Sequence, residues 1–233
     1  PAAAHPLTTD NTLFIATIGG LYQSTDTAET WEKISERDDL SHLSSREDGT
    51  LFAAVTNGSQ LLSSADGGQS WQTHKIPFGE ASLVALTAMP HLVLAATYQH
   101  EPQQVIIWLS GDSGDSWQQA AVIPTNWPLV SAWPQPPLLT VGNLLLKQTI
   151  VGWQQRELSD NEAPFRALTG CGENLFALTT EGLWHSADKA INWNPIPLSV
   201  DAEYVVDIAV TAERIYILYI DGQVLYQPLP VTN

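Results

Sequence analysis

Cysteine occurs once, at Cys171, so no internal disulfide can staple the fold and the redox compartment stays open. Basic residues are scarce: nine Lys and Arg stand against 25 Asp and Glu, a formal charge of −16. Such a surface repels polyanions, which sets nucleic acid and anionic lipid aside as partners and admits a cationic one. Solubility alone also accounts for the acidity. No apolar run approaches the roughly 20 residues of a membrane-spanning helix, so direct membrane insertion is not expected. Helical periodicity of useful length is missing as well. What is present is 233 residues, 44% of them hydrophobic, enough for a sizeable buried core. The opening PAAAH fits what signal cleavage leaves behind but carries no charged or apolar signal region of its own. A secreted, periplasmic or membrane-complex setting is preferred over the cytoplasm. Asn57-Gly58-Ser59 is a glycosylation sequon in an expected loop.

The stretch SGDSGDSW, Ser110 to Trp117, contains GDSG, which resembles the nucleophile segment of chymotrypsin-like serine proteases. It also occurs in a series. LYQSTDTAETW ends at Trp31, LLSSADGGQSW at Trp71, IWLSGDSGDSW at Trp117 and LWHSADKAINW at Trp193. All four share Ser-x-Asp, then a Trp five residues after the Asp. LLLKQTIVGW, ending at Trp153, keeps only the Trp. Successive Trp spacings are 40, 46, 36 and 40, the period of a four-stranded propeller blade. Each unit holds four short apolar strands separated by Gly, Pro, Asn and Asp, the fourth beginning at the Trp. Innermost strands are expected to start near His42, Ser82, Pro128, Phe165 and Tyr204.

The Asp carboxylate accepts bonds from backbone N–H groups two or three residues ahead, and the Ser hydroxyl bonds locally in the same way. Gly68 and Gly114 suit a position of positive φ, although Ala28 and Ala190 stand there in other copies. The Trp ring anchors the turn against the strand pair. Ser113 is therefore a turn filler matching Thr27, Gly67 and Lys189, and no His–Asp partnership accompanies it. Ser186-Ala187-Asp188-Lys189, a Ser-x-x-Lys match, dissolves in the same way.

These four segments resemble the Asp-box, or BNR repeat, with pattern S-x-D-x-G-x-T-W. The structural set is Ser24, Asp26 and Trp31; Ser64, Asp66, Gly68 and Trp71; Ser110, Asp112, Gly114 and Trp117; and Ser186, Asp188 and Trp193. The resemblance covers nearly the whole chain. It implies a β-propeller of the kind found in sialidases, sortilin-type domains, xyloglucanase-type glycosidases and photosystem II assembly factors. In that family the box is a peripheral fold element away from the central site, so the resemblance conveys architecture and withholds function.

The expected fold is all-β: one propeller domain over 1–233, with six blades and five or seven as alternatives. The sixth unit, YVVDIAVTA, RIYILYI and QVLYQPLP, should have three strands or a weak fourth. AAAHPLT is expected at the ring closure beside the C-terminal strands. One end of the blades presents loops at 35–41, 56–60, 77–81, 98–104, 124–128, 158–164 and 199–203, the longest around His100 and Glu101.

A sialidase needs three convergent arginines, and only Arg37, Arg46, Arg156, Arg166 and Arg214 exist. Arg46 and Arg166 fall at inner strands, Arg156 and Arg214 at peripheral ones. A two-carboxylate glycosidase has Asp38, Asp39, Glu101, Glu162, Asp201, Glu203 and Asp207 to draw on, but no pattern pairs any two. The six His show no metal-binding spacing; His74 and His185 sit in strands and read as surface residues. GCGENL at 170–175 is a near miss for a dinucleotide fingerprint and has no following helix. No cofactor or metal is expected. Trp108 and Trp184 precede the box Ser and read as packing residues. Trp127 and Trp133 lie outside the repeat, and Trp127 on the loop end suits a sugar or a protein contact. The candidate binding residues are Trp127, His100, Glu101, Asp38, Asp39 and Trp133. The sequence points to a non-catalytic interaction module in a larger protein assembly. The alternative is a carbohydrate-active enzyme or glycan binder.

Overall fold

The computed structural model describes residues 7–9, 12–26, 29–46, 48–55, 60–79, 81–126, 130–133, 138–149, 152–157, 163–171, 174–198, 201–210, 214–221 and 223–229. Of 7–9, 132–133, 149 and 156–157 it describes the backbone alone. The chain forms a six-bladed β-propeller of antiparallel sheets. Its residues fall into two compact units, Pro1–Pro124 and Thr125–Asn233. Among the described residues no helix is long and apolar enough to cross a membrane.

The first unit holds three blades, each with strands adjacent in chain order. Blade 1 is β1 (Leu7–Thr9), β2 (Thr12–Thr17), β3 (Gly20–Ser24) and β4 (Glu32–Ser35). Blade 2 is β5 (Leu40–Ser45), β6 (Leu51–Val55), β7 (Leu61–Ser64) and β8 (Gln72–His74). Blade 3 is β9 (Ser82–Met89), β10 (Leu92–Gln99), β11 (Gln104–Ser110) and β12 (Gln118–Pro124). In the second unit, blade 4 is β13 (Val130–Trp133), β14 (Leu138–Val141), β15 (Leu144–Thr149) and β16 (Gly152–Glu157). Blade 5 is β17 (Phe165–Cys171), β18 (Asn174–Thr179), β19 (Leu183–Ser186) and β20 (Asn194–Ile196). Among the described residues blade 6 has three strands: β21 (Val205–Val210), β22 (Arg214–Tyr219) and β23 (Val224–Pro228). A 3-10 turn at Ala202–Tyr204 leads into it.

Innermost strands start at Ser82 and Phe165, as the repeat predicts, and at Val205 beside the expected Tyr204. Blade 2 differs, because its first strand begins at Leu40, not His42. The ladder slips between Ser41 and Ser44, and His42 takes φ 49° inside that bulge. Residues 2–6 of the expected closure segment and the sequon lie outside the described residues. Leu7–Thr9 pair with β2 as the inner strand of blade 1.

Alternation decides what each blade buries. Because side chains alternate across a sheet, one face of a blade meets the blade before it and the other meets the next. Phe14, Ala16 and Leu21 of blade 1 pack with Leu40, Leu51, Ala53 and Leu62 of blade 2. Phe52 and Leu61 carry the packing on to Phe78, Leu86, Ala88, Val93 and Ala95 of blade 3. In the second unit, Leu138 and Leu145 meet Phe165, Leu168, Leu175 and Ala177. Ala167, Phe176, Leu178 and Leu183 then meet Val205, Ile208, Ile215 and Ile217.

The Ser-x-Asp turns link third strands to fourth. Ser64 Oγ donates to Asp66 Oδ1 at 2.7 Å and accepts Gly68 N–H at 2.8 Å. Asp66 Oδ1 accepts Ser70 N–H at 2.9 Å and Oδ2 accepts the Ser70 hydroxyl at 2.5 Å. The bonded amide is four residues ahead, further than the two or three that an Asx-turn suggests. In blade 5 Asp188 also accepts an amide three ahead, from Ile191 at 3.0 Å. The extra reach comes from two successive left-handed residues, Gly67 at φ 68° and Gly68 at φ 89°, matched by Ser113 and Gly114, and by Lys189 and Ala190. The indole N–H groups of Trp71 and Trp117 donate to Gly68 and Gly114 O at 3.1 Å. These bonds hold the carboxyls of Asp26, Asp66 and Asp112 at about 2, chiefly through the hydroxyls of Thr30, Ser70 and Ser116. Asp188 reaches about 2 chiefly through the Asn192 backbone amide.

Candidate functional site

Antiparallel order decides which loops share an end. The first strand of a blade leaves the connection from the previous blade, and the second returns to it. The hairpin between second and third strands therefore sits at the same end as that connection. In the first unit this end carries residues 35–41, between β4 and β5, and 99–104, between β10 and β11.

Residues 35–41 are tied internally. Arg37 N–H donates to Ser35 Oγ at 3.3 Å, and its guanidinium grips Asp39 with two parallel bonds of 2.9 and 2.7 Å. That grip lowers the Asp39 carboxyl and raises Arg37. Asp39 is thus an ion-paired carboxylate rather than a free acid or base. Asp38 is exposed beside it. Lys33 pairs with Glu36 at the start of the loop.

The 98–104 hairpin is organised by amides. Gln99 Nε2 donates to Glu101 O at 3.0 Å, and Gln104 Nε2 donates to Gln99 Oε1 at 2.9 Å. The Glu101–Pro102 bond is cis. His100 stands edge-on to the buried Tyr98 ring at 4.9 Å, and 100–103 are exposed. Trp127 lies outside the described residues. Trp133 closes β13, and its side chain is likewise outside them.

Arg46, Arg166 and Asp201 have structural partners. Arg46 follows β5 and donates to Met89 O and Ser113 Oγ of blade 3, both at 3.2 Å, over the Phe52 ring. Arg166 Nη1 donates to the carbonyls of Ala202, Glu203 and Val205 at 3.3, 2.8 and 2.8 Å, stitching blade 5 to blade 6. Asp201 caps the 3-10 turn by accepting Glu203 N–H at 3.1 Å. Glu162 lies outside the described residues. Among the described residues no cluster of His, Cys, Asp and Glu is arranged to hold a metal.

Two histidines read as surface residues are in fact buried: His74 is 5% exposed and His185 7%. The sequence shows their polar strand positions but not their cross-blade or cross-strand partners. His74 Nδ1 meets Asp115 Oδ1 of blade 3 at 2.8 Å, and Nε2 meets Ser63 Oγ at 2.7 Å. His185 stacks on Phe176 with its Nε2 on Asn174 Oδ1 at 2.8 Å, and burial lowers its pKa.

A surface that sequence reasoning missed lies on blade 6. Asp207 pairs with Leu218, and Leu218 with Val224. Ala209 pairs with Tyr216, and Tyr216 with Tyr226. Directly paired residues share a face, so these six lie opposite Val205, Ile208, Ile215 and Ile217, which meet blade 5. On blade 5 the corresponding face is Ala167, Phe176, Leu178 and Leu183, and it is covered by blade 6. On blade 6, Val224 and Tyr226 are each 61% exposed. The alternation in YVVDIAV and RIYILYI signals two apolar faces, but not the exposure of Val224 and Tyr226.

Residues 1–122 match the family model described as the DUF6242 beta propeller domain. No curated protein matches the chain. A solved structure of YCF48 bound to a D1 peptide is 17% identical, with a TM-score of 0.63, over 97% of this chain and 78% of that one. A catalytically inactive virginiamycin B lyase from Staphylococcus aureus with Quinupristin is 13% identical, with a TM-score of 0.68, over 99% and 82%. The GH74 xyloglucanase from Xanthomonas campestris is 14% identical, with a TM-score of 0.62, over 92% of this chain and 43% of that one. At these identities the likeness is one of fold.

Proposed function

Because the chain belongs to the DUF6242 β-propeller domain family, we propose that it works as a single non-catalytic module that binds another protein within a larger assembly. The observation that carries this reading is the distribution of exposed apolar side chains. Of the ten large hydrophobics exposed among the described residues, six fall between Tyr204 and Tyr226. Concentrated apolar exposure on one blade marks a docking surface, whereas scattered single residues need no explanation. The peptide bound to the YCF48 neighbour supports reading this fold as one that receives polypeptide. The loop end of the first unit, with the exposed Asp38, His100 and Glu101, is polar and offers no comparable apolar anchor.

Site-specific photo-crosslinking in the source cells tests this. A benzophenone side chain replacing Tyr226 should yield one dominant protein adduct, and the same group replacing Glu101 should yield less. A purified protein that hydrolyses a glycan panel, with no adduct from either position, overturns the reading.

A further inference from the structure

At the junction of blades 1 and 2, the residue before the box Ser is Gln23, the third residue after the box Trp is Ile34, and the residue after Gly68 of the facing turn is Gln69. At the junction of blades 2 and 3 the same three places hold Ser63, His74 and Asp115. Ile34 Cδ1 and His74 Cγ each lie 3.4 Å from where a Cβ would stand on the glycine of the facing turn, Gly68 or Gly114. Blade 5 also has an isoleucine at this place, Ile196. Packing under the turn is therefore met by an aliphatic side chain. An imidazole there needs partners for both ring nitrogens, because a buried polar group left unbonded is costly.

The partners of His74 have a definite chemical order. Nδ1 is 2.8 Å from Asp115 Oδ1, and Nε2 is 2.7 Å from Ser63 Oγ. A carboxylate only accepts, so Nδ1 carries the ring proton and Nε2 presents its lone pair to the Ser63 hydroxyl, which donates. Hydroxyl, base and orienting carboxylate thus follow the atom order of a serine nucleophile site, supplied by β7, β8 and the turn after β11. His74 is buried, which limits competition from water at Nε2, while Ser63 is partly exposed. Phe52 pairs directly with Ser63 and so shares its face, and the Arg46 guanidinium stands 5.0 Å over the Phe52 ring. A fixed positive charge on that face favours the negative oxygen formed when a carbonyl is attacked. Ser113 of the GDSG stretch takes no part, since its hydroxyl accepts from Arg46.

We infer that Ser63 is a nucleophile that accepts an acyl group from an activated ester, with His74 as its base and Asp115 as the positioning residue. Ser63 Oγ bonds to the carbonyl carbon and its proton passes to His74 Nε2. The ester C–O bond then breaks, and the same proton leaves with the alcohol. Asp115 holds the ring in the tautomer that leaves Nε2 free to take the proton. The step is a single covalent modification and needs no turnover, so it goes beyond the interaction reading and does not compete with it.

Two probes of the full chain test this. A fluorophosphonate, which traps activated serines irreversibly, should modify the chain once, at Ser63. Treatment with p-nitrophenyl acetate should place an acetyl group on the same residue, read by peptide mapping. His74→Ile restores the side chain that blades 1 and 5 carry, so it should keep its circular dichroism while modification of Ser63 slows about a hundredfold. Asp115→Asn should slow it about tenfold, and Asp115→Glu should regain part of that loss. A chain left unmodified at Ser63, acetyl groups confined to lysines, or equal rates in His74→Ile overturn the proposal and leave these hydrogen bonds as a tie between blades. Equal rates for Asp115→Asn and the unaltered chain overturn the role given to Asp115.

Discussion

Gly68 and Gly67 are adjacent, both left-handed, and not equivalent. A Cβ on Gly68 would lie 2.4 Å from Leu21 Cδ2, inside the core between blades 1 and 2. A Cβ on Gly67 would meet nothing within 4 Å. Left-handed backbone costs an L-residue about 1–2 kcal/mol, and overpacking a core adds about 1–3. Gly68→Ala should therefore destabilise by about 2–5 kcal/mol and Gly67→Ala by about 1–2 in urea unfolding. Equal losses would show that backbone strain, not the approach of Leu21, selects glycine at 68. Ala190 stands at the equivalent place in blade 5 with φ 65°. Alanine is thus sterically admissible where the facing side chain leaves room, and the requirement lies in the neighbour.

Between elements, the blades are joined by apolar faces and by arginines that cross the junction. Arg166 spends one nitrogen on three carbonyls of the turn that starts blade 6. Arg166→Met keeps the aliphatic stem and removes those bonds, for an expected loss of about 2–3 kcal/mol. Arg166→Lys should recover part of it. A change in unfolding free energy below about 0.5 kcal/mol would show that water replaces the guanidinium at no cost. This level of organisation was only partly legible in the sequence. Blade number and order follow from the Trp period and the Ser-x-Asp turns, because those turns bond within themselves. Partners from another blade leave no local trace: Arg46 reaches Met89 across 43 positions and His74 reaches Asp115 across 41. The exposure of Val224 and Tyr226 was hidden for the same reason. Val224 reads as an ordinary strand residue, and its exposure depends on what lies beside it.

For the whole molecule, acidity sets two opposed trends with pH. At neutral pH the formal charge of −16 makes the compact state repel itself, and protonation toward the isoelectric point near 4.4 relieves that. The turn carboxylates act the other way. Asp26, Asp66, Asp112 and Asp188 titrate at about 2 when folded, against 3.8 for the ordinary group. A folded-state pKa below the unfolded value contributes stability that is fully present above the unfolded pKa and is lost as pH falls through the folded one. The loss therefore runs from just below 4 to about 2, after the relief of repulsion is largely complete. The midpoint of thermal unfolding should rise modestly from neutral pH to about 5 and then fall steeply below 4. A variant with Asp66→Asn and Asp112→Asn should start from a lower midpoint and fall less steeply over that acid range, since amides cannot be protonated there. Calorimetry of both proteins from pH 7 to 2 measures this. Parallel acid limbs would assign the loss to carboxylates outside the turns, with Asp39, held low by Arg37, the first to examine.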